Sequence, residues 1–123
     1  MIVTDEQRQR IQDAEKMLNE ATASLDLPSL REQLADLNAR MEAPDFWNDV
    51  ENANKITKQE KPLKGKITLC ERLTSSLDDL KVLVDMVDEE QDDELLAELN
   101  SELDQFEKDV TEFHLQTLLS GTY

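Results

Sequence analysis

A chain of 123 residues with a formal net charge of −16 has material for one domain at most, here taken as 1–123. The acidic balance excludes nucleic acid as the main ligand, since phosphate binding depends on Lys and Arg, and it favours a basic protein surface as partner. A single cysteine excludes an internal disulfide, and no apolar run is long enough to cross a membrane.

Thr4-Asp5-Glu6-Gln7 reads as a helix start, with Thr4 and Gln7 as a capping box. Asp5 and Glu6 also stand where a signal peptide would need basic and then apolar residues, so a cytoplasmic protein is expected. Ile11, Ala14, Leu18, Ala21 and Leu25 alternate spacings of three and four, which places them on one helix face. Asp26-Leu27-Pro28-Ser29 interrupts that stripe, and Ser29 with Glu32 offers a second capping box. Leu30, Leu34, Leu37 and Met41 then continue the rhythm as far as Pro44.

Pro44-Asp45-Phe46-Trp47-Asn48-Asp49 holds two of the five aromatics and the only tryptophan. Pro44 ends the preceding helix, because its ring denies a backbone donor and forces residue 43 out of the helical region. Asp45 then caps a new helix that opens on Phe46 and Trp47. Two large rings at a helix start predict a packing anchor that fixes the angle between two helices.

Phe46, Val50 and Ala53 mark that next helix, with a kink or break expected near residues 59–62 at Pro62. Leu63, Ile67, Cys70, Leu73, Leu77, Leu80, Val84 and Val87 carry a heptad-like rhythm onward. Asp88 to Glu94 is an acidic break with Asp92 or Asp93 as cap. Leu96, Leu99, Leu103, Phe106, Val110 and Phe113 resume the pattern, and Gly121 is placed to stop the last helix. Four stripes with short breaks predict an all-α fold: an elongated antiparallel helical hairpin or three-to-four-helix bundle with coiled-coil packing.

No side-chain set carries chemistry, so no catalytic, cofactor-binding or metal residue is assigned and no cofactor is expected. His114 lacks a second His or Cys at ligand spacing, and Cys70 falls on the core register. The run Asp88 to Glu94 lacks the glycine and alternating ligands of a calcium loop and reads as a solvated turn. Lys55, Lys58, Lys61, Lys64 and Lys66 gather around Pro62 and read as a soluble face, with contact to ribosomal or other RNA as the alternative. From residue 88 onward Lys108 stands alone against twelve acids, a net of −11, and this acidic last helix is the favoured functional surface.

The hexapeptide at 44–49 resembles a segment in the N-terminal helical domain of the bacterial peptide chain release factor 2 family. Leu25-Asp26, Arg31-Glu32-Gln33-Leu34, Asn38 and the tail Leu118-Leu119-Ser120-Gly121-Thr122-Tyr123 agree with it. The resemblance implies a parent protein that directs peptide release at UGA and UAA stop codons. It implies a domain that approaches the stalk base of the large ribosomal subunit and is linked to the release-factor GTPase. Both family motifs are missing from 1–123: Gly65 and Gly121 are isolated, so there is no Gly-Gly-Gln, and there is no Ser-Pro-Phe. The chain therefore reads as a non-enzymatic piece of a termination factor, with no direct nucleic-acid site and no membrane contact. In many members of the family a programmed frameshift falls near Leu25-Asp26. The alternative is a self-standing acidic coiled-coil scaffold that homodimerises through exposed stripes.

Overall fold

Helices account for nearly all of residues 1–120, the part of the chain that the computed structural model describes. They are α1 (Asp5–Leu25), α2 (Leu27–Met41), α3 (Val50–Glu90) and α4 (Asp93–Ser120), with a single 3-10 turn at Phe46–Asn48 between α2 and α3. No strand occurs among the described residues, so the all-α expectation holds. Gly121, the expected helix stop, lies outside them.

The chain divides into two units. The first joins Met1–Ser24 to the chain from Arg72 onward, and the second is Leu25–Glu71. Helix α3 contributes its C-terminal part to the first and its N-terminal part to the second.

In the first unit the periodic residues meet as read. Ile11, Ala14, Leu18 and Ala21 of α1 are buried, as are Leu73, Leu77, Leu80, Val84 and Val87 of α3 and Leu99, Leu103, Phe106, Val110 and Phe113 of α4. Each large apolar side chain taken fully out of water contributes about 1.5–3 kcal/mol, so this three-helix core carries most of the unit's stability. Polar contacts along the seams set the helix directions. Arg8 bonds Asp85 and Asp88, whereas Glu15, further along α1, meets Lys81 at 2.7 Å, so α1 and α3 run antiparallel. Gln7 donates to Asn100, and Arg10 reaches Asp104 and Glu107, so α1 and α4 run parallel. Not every neighbour is antiparallel, because α1 and α4 are not consecutive in the chain.

The turn between α3 and α4 is tighter than the acidic run implied. Only Gln91 and Asp92 separate the helices, and Gln91 adopts φ 55°, left-handed backbone that a non-glycine residue takes up only at some cost. Its side chain fastens the N-terminus: Ile2 N–H donates to Gln91 Oε1 at 2.7 Å, and Gln91 Nε2 donates back to the Ile2 carbonyl at 3.2 Å. Asp92 caps α4 by accepting from the Glu94 N–H at 2.8 Å, one of the two caps anticipated.

Two other caps differ from expectation. Thr4 is buried, and its hydroxyl donates to Asp88 at 2.6 Å instead of joining Gln7 in a capping box. Asp26, not Ser29, caps α2: it takes φ 51° and accepts from the Ser29 N–H, with Pro28 in the first turn, where a missing N–H costs nothing.

The second unit has a small core in which Leu37, Phe46, Ala53 and Ile56 are buried and Met41 and Leu63 pack against them. Leu30 and Leu34 are only half-buried. Asp45 makes no side-chain cap. The chain first closes the 3-10 turn, and α3 then starts at Val50 with Asp49 accepting from the Asn52 N–H at 3.1 Å. Pro62 does not break the helix: α3 runs unbroken from Val50 to Glu90. The proline lies on an exposed face, where the Lys58 carbonyl deprived of its donor can turn to water.

Candidate interaction surfaces

Among the described residues no group of three or more His, Cys, Asp or Glu side chains comes together to hold a metal ion. Cys70 is buried, as its register implied, and His114 is half-buried on α4. No helix among the described residues is long and apolar enough to cross a membrane. Three surface regions stand out.

The acidic side of the first unit is partly neutralised from within. Asp85 and Asp88 hold Arg8, Asp104 and Glu107 hold Arg10, and Arg72 approaches Asp109 at 3.6 Å. The Thr4 hydroxyl and then Arg8 keep the Asp88 carboxyl below the ordinary aspartate range. Asp88 is thus a structural tie and not part of a solvated turn. Glu102 behaves oppositely: burial first, then the neighbouring Glu98, raises its carboxyl above the usual value. It lines a groove of about 260 Å³ between α3 and α4, with Arg72, Asp79, Phe106 and Asp109 among the other walls.

A second region is the lysine face of α3. Lys55, Lys58, Lys61, Lys64 and Lys66 are all exposed, as expected for a soluble face, and none forms an ion pair among the described residues. Gly65 lies among them with open space where a Cβ would project.

The third region corrects the sequence reading most. Phe46 is the packing anchor, 6% exposed, whereas Trp47 is 62% exposed and Val50 is 66% exposed. The indole stands edge-on to the Phe46 ring, with centroids 4.8 Å apart and planes at 90°. Successive side chains of a helical turn point about a third of a turn apart, so only one ring of the pair can face the core. The signal for it in the sequence is that Trp47 is flanked by Asp45, Asn48 and Asp49, a neighbourhood suited to water.

The PCRF domain family matches residues 30–123, a stretch that contains the corner, the whole of the lysine face and α4. The chain belongs to the PCRF domain family. Peptide chain release factor 2 of Clostridium perfringens strain SM101 is 34% identical to it over 119 residues, 97% of this chain and 32% of that protein. Peptide chain release factor 2 of Streptomyces avermitilis is 42% identical over 101 residues, 82% of this chain and 27% of that protein. The Kineococcus radiotolerans protein of the same name is 37% identical over 98 residues, 80% of this chain and 27% of that protein. The chain thus spans about a third or less of the length of the curated relatives it matches. The resemblance drawn from 44–49 and the tail agrees with these matches.

Proposed function

We propose that this chain is the ribosome-contacting helical domain of a cytoplasmic translation termination factor, whose parent directs peptide release at UGA and UAA codons. The observation that carries the reading is the family match over residues 30–123, together with relatives named peptide chain release factor 2 that cover most of the chain. The domain docks and does no chemistry itself; hydrolysis of peptidyl-tRNA belongs to the Gly-Gly-Gln region, which this sequence lacks. The stalk base of the large subunit and the release-factor GTPase are its partners in this reading. The physical character of the chain supports it: the stripes of α1, α3 and α4 in the first unit are covered within one chain, which leaves charged faces free for contact.

Sedimentation with purified bacterial ribosomes tests the proposal. The chain should pellet with ribosomes at low ionic strength and come off progressively as salt screens the contact. Absence from the ribosome pellet at every salt concentration would overturn it.

A further inference from the structure

We infer that the corner between α2 and α3 is a docking surface for a basic protein, with Trp47 as its apolar anchor and Glu42, Asp45, Asp49 and Glu51 as its acidic rim. The inference rests on the ribosome reading above and names the site and the chemistry of the contact.

Four observations carry it. Trp47 is the only tryptophan, and it stays in water while Phe46, Phe106 and Phe113 are all buried. Val50, three residues on, is exposed as well, so the anchor has a second apolar side chain near it in the chain. The edge-on contact with Phe46, itself locked in the core of the second unit, restrains the indole before any partner arrives. A restrained aromatic loses little freedom on binding, and tryptophan is among the residues most enriched where binding energy concentrates. Finally, the rim is of one sign: no Lys or Arg occurs from residue 41 to residue 54, and none of the four carboxylates forms an ion pair among the described residues. In the first unit five acids, Asp85, Asp88, Asp104, Glu107 and Asp109, are instead already paired with Arg8, Arg10 and Arg72.

The sign of the rim selects the occupant. Phosphate backbones and anionic lipid surfaces are repelled by it, and a second copy of the same corner would set four carboxylates against four. A protein surface rich in Lys and Arg around an apolar notch satisfies both the ring and the rim.

Binding of the chain to purified bacterial ribosomes, measured for the wild type and three variants, tests this. Trp47→Ala should weaken binding by tenfold or more, on the order of a buried aromatic hot spot, while Trp47→Phe recovers most of the loss. The double variant Glu42→Lys/Asp45→Lys should weaken binding and flatten its salt dependence; Asp49 is left in place because it caps α3. Circular dichroism should show all variants as helical as the wild type, since every altered side chain is exposed. In a companion experiment, p-benzoylphenylalanine in place of Trp47 should cross-link to a basic ribosomal protein. Cross-linking to ribosomal RNA, or none, overturns the inference. Wild-type affinity in all variants overturns the corner while leaving the ribosome reading intact, and a wild type that does not bind overturns both.

Discussion

Phe46 and Trp47 are covalent neighbours whose rings touch edge to face at 4.8 Å, yet one is buried with Leu37, Ala53 and Ile56 and the other faces solvent. Their substitutions should therefore separate. Phe46→Ala opens a cavity in the smaller core and should cost about 3–5 kcal/mol. Trp47→Ala removes one ring contact and little burial, so it should cost no more than about 1.5 kcal/mol. Urea titrations followed by circular dichroism check both values, and equal losses would contradict the division.

Because Trp47 is the sole tryptophan, it reports its own surroundings. Its fluorescence in the free chain should be red-shifted and readily quenched by a neutral collisional quencher. A blue-shifted, protected emission would show that the indole is buried.

Pro62 sits on an exposed face inside a continuous helix. Pro62→Ala restores an N–H to the Lys58 carbonyl and removes a ring that strains the preceding turn. The gain is offset in part by a more flexible unfolded chain, so the net expected is about 1–3 kcal/mol of added stability. A thermal melt checks it, and a lowered midpoint would contradict it.

Acid should act through Asp88. Its carboxyl is held below the ordinary aspartate range by Thr4 and Arg8. The stability it contributes is therefore complete above the unfolded value, about pH 4, and is lost as pH falls through the lower folded value. Glu102 works in the opposite sense: its raised carboxyl makes the charged form a cost, which protonation relieves as pH falls through the raised value. Comparing wild type with Asp88→Asn isolates the first effect. The advantage of the wild type at neutral pH should narrow as pH is lowered from about 5 towards 2, in denaturant melts at fixed ionic strength.

Much of this fold was legible because burial follows spacing. The stripe that begins at Ile11 is buried as far as Ala21, with Leu25 half-buried, and the one that ends at Phe113 is buried from Leu99, with Leu96 half-buried, since an apolar face repeated in threes and fours has one economical way to leave water. The second unit was less legible. Leu30, Leu34 and Met41 continue the rhythm but are only half-covered, and Val50 is exposed, because a small core built around Phe46 has too few partners to cover a whole stripe. Caps were read from local pattern and went astray where a distant residue competed: Thr4 is drawn to Asp88, eighty-four residues away, a contact no local rule contains. For Trp47, residue type alone points to burial, whereas two adjacent side chains of a helical turn cannot both face one small core. The acidic surface was counted correctly from the sequence, but counting could not show which carboxylates Arg8 and Arg10 already hold.

Competition on the ribosome tests the central claim most directly. An intact peptide chain release factor 2 acts on ribosomes stalled at a UGA codon, and the rate of peptide release is followed as this chain is added in excess. A docking domain should slow release in proportion to its occupancy, with Trp47→Ala a weaker competitor than the wild type. An unchanged rate at the highest concentration of chain would contradict the account.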